Sequence, residues 1–109
     1  MATFEEFQKI DIRIGKIVDV ELLQGAKYTT HKLTIDFGKE MGMKVSCARL
    51  INYSINQLIG RIVLAIVNLP PRQIGKHTSE VLTLGVPDKD GECILIQPDK
   101  DVQLGSRLY

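Results

Sequence analysis

The sequence lacks the long apolar runs and the targeting signals that would place it in or across a membrane. No apolar run approaches the roughly 20 residues that a membrane-spanning helix needs. Residues 1–6 lack the basic start and the apolar core of a signal peptide. Hydrophobic residues make up 44% and charged residues 25% of the chain, as in folded globular domains. We therefore expect one cytoplasmic domain, residues 1–109, without membrane insertion.

Cysteine and histidine are also scarce, with two of each in the chain. Cys47 and Cys93 match no metal-binding spacing. We expect two buried thiols in a reducing compartment, and a disulfide between them is the open alternative. His77 lies close to Ser79 and Glu80, but near neighbours on one loop cannot adopt the geometry of a catalytic triad. The sequence also has no phosphate-binding loop, so we expect a protein that is not an enzyme.

Charge is distributed unevenly, although the formal net charge is only +1. Residues 44–80 contain five cations and one anion, a net charge of +4, whereas the remaining residues contain nine cations and twelve anions, a net charge of −3. A locally basic region in a nearly neutral protein predicts a specific anionic partner. The alternative is that the five cations point in different directions. These cations are Lys44, Arg49, Arg61, Arg72 and Lys76.

Alternating apolar and polar residues predict a series of β-strands. The first is long, and Gly15 in its middle indicates a bend or a bulge. The segment 68–80 is polar and basic and is predicted to be a loop between two strands. The predicted strands span residues 10–22, 32–37, 43–48, 62–67 and 81–86, and a further strand spans 93–96.

Two capping-box patterns predict short helices. Thr3 and Glu6 bracket the start of a helix over residues 4–9, and Ser54 and Gln57 bracket one that ends before Gly60. A helix of two turns does not persist alone in water, so the first must dock on the domain or on a second subunit.

Five strands with a short helix between the third and the fourth are typical of the OB-fold, a five-stranded Greek-key barrel. We therefore predict an all-β protein with short helices: an OB-fold barrel with an N-terminal helix (residues 1–10) and a C-terminal extension (92–109). A sandwich is the alternative, but the immunoglobulin type needs about seven strands. OB-folds bind ligands on a strand face and in the flanking loops.

Several segments resemble a known family at consistent spacing. Residues 11–17 resemble the opening of the tRNA-binding OB domain that occurs alone or fused to aminoacyl-tRNA synthetases, and Asn68-Leu69-Pro70-Pro71-Arg72 followed by Ser79 also fits that domain. Residues 32–38, 68–74 and 79–87 are similar, nearly without change, to the CsaA-type export-related chaperones. The resemblance spans residues 11–108.

This resemblance implies an OB-fold homodimer, with residues 1–10 and 92–109 forming the subunit contact, and it implies neither catalysis nor a cofactor. Proteins similar to CsaA hold preproteins for secretion and keep a tRNA-binding type of surface. The implied partners are tRNA, and unfolded preprotein or the export machinery. The alternative function is a structure-specific tRNA-binding protein that acts in trans with aminoacyl-tRNA synthetases.

For an RNA ligand, we expect cations to contact phosphates and polar side chains to hydrogen-bond bases, riboses or phosphates. Tryptophan is absent and aromatic residues make up only 6% of the chain, so base stacking cannot dominate. Recognition of folded RNA by shape and backbone fits better. For Asn68, capping of the strand end is the alternative role. The expected RNA-binding residues are Arg13, Lys44, Ser46, Arg49, Asn68, Arg72, Lys76 and Ser79.

For a polypeptide ligand, we expect an exposed apolar groove. Leu50, Tyr53, Leu69 and Ile74 lie next to strand ends and are the candidates for lining it. The alternative for each is packing in the core or in an interface. The sequence also places the negative charge of Glu80 beside the expected RNA-binding loop, where synthetase-linked domains usually have glycine.

Overall fold

Short antiparallel strands dominate the structure, a computed structural model that describes residues 1–109. Its two helices are α1 (Phe4–Gln8) and α2 (Ile55–Leu58). The strands are β1 (Ile12–Leu22), β2 (His31–Asp36), β3 (Met43–Ala48), β4 (Ile62–Ile66), β5 (Arg72–Ile74), β6 (His77–Ser79), β7 (Leu82–Thr83), β8 (Gly85–Pro87) and β9 (Cys93–Leu95). The predicted all-β class with short helices is confirmed.

Both helices begin with the predicted capping boxes. The Thr3 hydroxyl accepts the Glu6 amide, and the Glu6 carboxylate accepts the Thr3 amide. Ser54 and Gln57 exchange the same pair of hydrogen bonds at α2. Neither helix is long and apolar enough to cross a membrane.

The long strand β1 organises the main sheet, whose strand order is β3-β2-β1-β4-β7. The second half of β1 pairs with β2, and its first half pairs with β4. Strand β4 thus returns to lie beside β1, which gives the Greek-key order. Residues 105–108 hydrogen-bond to the edge of β1 that β2 leaves free, through contacts that include Leu108 N–H to Ile12 O at 2.9 Å.

The two edges of this sheet meet along a seam between β3 and residues 79–83. The amides of Glu80 and Val81 donate to the Val45 carbonyl, with N···O distances of 2.8 and 3.2 Å. The Thr83 hydroxyl donates to Ser46 Oγ at 2.7 Å. The sheet therefore curls into a nearly closed five-stranded barrel, which confirms the predicted OB-fold.

Side chains complete the seam where the backbone ladder is interrupted. The Glu80 carboxylate accepts the Val45 amide at 2.9 Å, and the Ser79 hydroxyl accepts the Cys47 amide at 3.0 Å. The negative charge expected beside the ligand surface is thus engaged in holding the barrel together.

Alternate residues of the strands fill the barrel interior, and residues outside the strands complete the core. Leu50, after β3, and Leu58, in α2, are completely buried in this core. The other members of the core are Ile17, Leu33, Ile35, Phe37, Val63, Ala65 and Val81.

Gly15 has a different role from the predicted bend or bulge. The irregularity in β1 lies between Ile17 and Asp19, where the register with β2 shifts. A side chain at Gly15 would clash with Ile35 and would approach Phe37 Cε1 to 2.8 Å. Glycine is therefore required here because the core packs directly against the β1 backbone.

Two predicted elements differ in the structure. The segment predicted as a loop contains the β5–β6 hairpin, in which Ile74 pairs with His77 across a turn with Gly75 at a φ of +60°. The predicted strand 81–86 is divided, since β7 belongs to the barrel whereas β8 pairs with β9 in a separate hairpin. The division falls just before Gly85, where a side chain would clash with Cys93.

Candidate nucleic-acid interface

The outer face of β2 and β3 forms one continuous surface with the β5–β6 hairpin. Lys32 pairs with Cys47 across the two strands, and Arg72 pairs with Ser79 in the hairpin. The hydrogen bond from the Cys47 amide to Ser79 joins the two pairs. Lys32, Cys47, Ser79 and Arg72 therefore follow one another across four strands, with a cation at each end.

Both cations in this row influence the pKa of the Cys47 thiol. Burial raises the pKa of Cys47, and the positive charges of Lys32 and Arg72 oppose that shift. Both cysteines are free, and burial also raises the pKa of Cys93. The higher pKa keeps both thiols protonated near neutral pH, so they are weak nucleophiles.

The β5–β6 hairpin presents two cations that form no salt bridge. Arg72 and Lys76 are exposed, and neither side chain forms a salt bridge. Beside Arg72 lies an open cleft of about 390 Å³, whose wall includes Leu69, Pro70 and Pro71. This arrangement combines free positive charge with a concave, partly apolar surface.

Two of the expected RNA-binding cations are engaged within the protein. The Arg13 guanidinium donates to both carboxylate oxygens of Asp11, at 2.6 and 3.2 Å, and to the Gly105 carbonyl at 2.9 Å. The hydrogen bond to Asp11 raises the pKa of Arg13. Arg49 binds both carboxylate oxygens of Glu92, at 2.9 and 3.2 Å. These two side chains fix the chain rather than present free charge.

The remaining expected cation, Lys44, lies on the other face of the sheet. Lys44 pairs with Ile35, a core residue, whereas Lys32 pairs with Cys47 on the outer face. Of the five expected cations, Arg72 and Lys76 thus share the β5–β6 hairpin, Arg13 and Arg49 are paired with carboxylates, and Lys44 lies on the other face of the sheet.

The three expected polar ligands are all engaged internally. Asn68 accepts the Asp11 amide and donates to the Lys9 carbonyl, both at 2.8 Å. Ser46 and Ser79 are buried, and their hydroxyls bind Thr83 and the Cys47 amide. These three side chains are therefore not counted among the groups available to a ligand.

The expected peptide-binding residues also separate. Leu50 is buried in the core, and the Tyr53 hydroxyl accepts the Leu95 amide at 3.0 Å while Arg61 lies over its ring. Ile74 is half-buried in the hairpin. Of the four expected peptide-binding residues, only Leu69 lines the cleft beside Arg72.

Lys32 is a surface cation that the sequence interpretation missed. A signal for it was available, since Lys32 alternates with Leu33 and therefore faces away from the core. Its proximity to Arg72 depends on the hairpin, which the sequence did not reveal.

A second exposed surface, the terminal patch, consists of Phe4, Phe7, Ile10, Leu108 and Tyr109. These residues line a cleft of about 380 Å³ between the N-terminal helix and the C-terminal residues. The Phe4 and Phe7 ring centroids lie 6.5 Å apart. The two chain ends thus combine into one apolar surface.

Comparison with known proteins agrees with this architecture. The family model described as "Putative tRNA binding domain" matches residues 12–107. The methionine–tRNA ligase of Archaeoglobus fulgidus is 35% identical over 106 residues, which cover 97% of this chain and 16% of the ligase. The corresponding enzyme of Thermococcus onnurineus is also 35% identical, over 96% of this chain and 14% of its own length. The chain therefore spans only a small part of these relatives.

Solved structures match over the full chain. The CsaA chaperone from Picrophilus torridus is 40% identical, with a TM-score of 0.94 and complete coverage of both chains. The chaperone CsaA from Bacillus anthracis is also 40% identical, with a TM-score of 0.91 and coverage of 100% and 99%. The chain belongs to the tRNA-binding domain family. Within that family it belongs to the CsaA type.

Replacing Asn68 by alanine distinguishes its two possible roles. We expect Asn68→Ala to lower the free energy of unfolding by about 1–2 kcal/mol, because two hydrogen bonds to the segment before β1 are lost. Equilibrium urea denaturation measures this change, and the affinity for tRNA should stay as in the wild type. Asn56→Ala, at an exposed position in α2, is the control and should leave both quantities unchanged. Loss of tRNA affinity without loss of stability would instead make Asn68 a ligand contact.

Proposed function

We propose that this protein binds tRNA without catalysing a reaction, through the β5–β6 hairpin and the outer face of β2 and β3. The observation that carries this proposal is the unpaired Arg72 beside an open cleft, on a surface that also holds Lys32 and Lys76. Unpaired cations on a rigid strand pair are suited to phosphate groups held at fixed spacing. Membership of the tRNA-binding domain family supports the choice of tRNA as the polyanion.

The internal contacts of the surrounding residues also favour binding over catalysis. The Ser79 hydroxyl donates to the Val81 carbonyl at 3.2 Å and accepts the Cys47 amide. It is therefore committed to the seam and is not activated by a base. The match to methionine–tRNA ligases supports an alternative form of this proposal, in which the domain binds tRNA in trans with aminoacyl-tRNA synthetases.

Replacing Arg72 tests the proposed surface. We expect Arg72→Ala to weaken tRNA binding by about five- to tenfold at low salt and to reduce the slope of log Kd against log salt by about one, because one phosphate contact is lost. Fluorescence anisotropy with labelled unfractionated tRNA at several salt concentrations measures both quantities.

The control, Arg61→Ala, removes the same charge from a side chain that is held against Tyr53 and the Gln57 carbonyl. It should leave the affinity within about twofold, since Arg61 lies outside the proposed surface. An equal loss in both variants would mean that only net charge matters and would contradict the proposal.

The second candidate ligand is an extended segment of unfolded preprotein, delivered to the export machinery as the CsaA-type resemblance suggests. The favouring observation is Leu69, which is 39% exposed and lines the cleft with Pro70 and Pro71. If this is the ligand, the protein suppresses aggregation of an unfolded client at a stoichiometric ratio. Leu69→Ser then abolishes the suppression while tRNA affinity is retained. Absence of suppression by the wild type would remove this candidate.

We further propose that the terminal patch is the contact of a homodimer. It joins the N-terminal helix to the C-terminal residues, the two parts expected to form the subunit contact. Phe4 is 70% exposed and has no polar function there, so burial against a second copy would remove apolar surface from water.

Sedimentation velocity tests the dimer. The wild type should sediment as a dimer at micromolar concentrations, and Phe4→Asp should sediment as a monomer because a charge cannot be buried unpaired in the contact. Ile51→Asp is the control, since Ile51 is an exposed apolar residue outside the terminal patch, and this variant should stay dimeric. A monomeric wild type would refute the proposal.

A further inference from the structure

Tyr28 is an exposed aromatic residue to which the fold gives no packing role. It lies between β1 and β2, is 69% exposed and is absent from the hydrophobic core and from the residues packed against it. The contact made by its ring is with its neighbour, since Lys27 Nζ lies 5.4 Å from the ring centroid. One face of the ring thus meets a cation, and most of the side chain faces solvent.

A hydrogen bond connects the backbone at Tyr28 to the residue that follows β3. Arg49 donates to the Tyr28 carbonyl at 3.3 Å, and the pair that Arg49 forms with Glu92 orients its guanidinium. Two residues later, the Thr30 amide donates to the Ala48 carbonyl at 3.1 Å. The ring therefore projects from a position tied to the end of β3, so a ligand that contacts it does not have to order the segment first.

Tyr28 lies in the loop that leads into β2, the strand that carries Lys32. Lys32, at one end of the cationic row, follows Tyr28 by four residues. In OB-folds the loop between the first and second strands is one of the two loops that contact nucleic acid, and the hairpin that carries Arg72 occupies the position of the other.

The chemistry of the pair suits a nucleotide. An aromatic face can stack on any nucleobase, and an adjacent ammonium can pair with its phosphate. Lys27 forms no salt bridge, so its charge is available. We infer that Tyr28 and Lys27 form a stacking site for one unpaired nucleobase of the bound RNA. This inference rests on the proposed RNA-binding function and adds an unpaired base to the features that the surface recognises.

The absence of tryptophan from the chain provides a direct test. The Tyr28→Trp variant contains a single indole, whose fluorescence is quenched when a base stacks on it. We expect quenching by unfractionated tRNA and by a single-stranded oligonucleotide. A blunt RNA duplex, titrated to saturation at low salt, should leave the fluorescence unchanged because its bases are paired.

Binding measurements on further variants complete the test. Tyr28→Leu should weaken tRNA binding about tenfold, Tyr28→Phe should bind as the wild type does, and the salt slope should be unchanged in both because no charge is removed. If Tyr28→Leu binds like the wild type while Arg72→Ala is weakened, the stacking site is refuted and the proposed function stands. If wild-type protein binds no tRNA, both are refuted.

Discussion

The hydrogen bonds between residues 79–81 and β3 are the contacts on which the rest of the structure depends. Glu80 accepts the Val45 amide and donates its own amide to the Val45 carbonyl. Ser79 belongs to β6, so the residue that closes the barrel also holds the hairpin that presents Arg72. A change that opens the seam would expose the core and displace the cation together. Fold closure and site geometry are therefore coupled through two adjacent side chains.

A second constraint is that three arginines are paired with carboxylates within the protein. The sequence therefore contains more positive charge than is available to a ligand. Asp11 binds Arg13 and lies 3.5 Å from Arg107 Nε, which ties the C-terminal residues to β1. Arg49 and Glu92 similarly connect the end of β3 to the turn before β9. An arginine already paired with a carboxylate must lose that partner before it contacts a phosphate. Counting cations therefore overestimates the binding surface, and the pairing of each cation has to be known.

Period-two alternation made the barrel predictable, because Leu33 and Ile35 reach the core from every second position of β2. The β5–β6 hairpin escaped prediction because three-residue polar strands are too short to show alternation and their pairing depends on long-range contacts with β3. The pair between Arg49 and Glu92 joins residues 43 positions apart, a distance at which sequence carries no local signal. Local sequence patterns thus predicted the secondary structure elements. The hydrogen-bonding and ion-pair partners of polar side chains could be identified only from the three-dimensional structure.

The small number of cations on the proposed surface also limits the kind of recognition that the surface can provide. Lys27, Lys32, Arg72 and Lys76 would release few counterions, so the salt slope for RNA would be about −3 to −4 rather than the steeper values of general polyanion binders. Such a surface holds bulk nucleic acid weakly at physiological salt. Selectivity must then come from contacts that only one shape satisfies, such as the cleft beside Arg72 and the exposed ring of Tyr28 in the loop before β2. Weak charge combined with fixed geometry favours a folded RNA over an arbitrary strand.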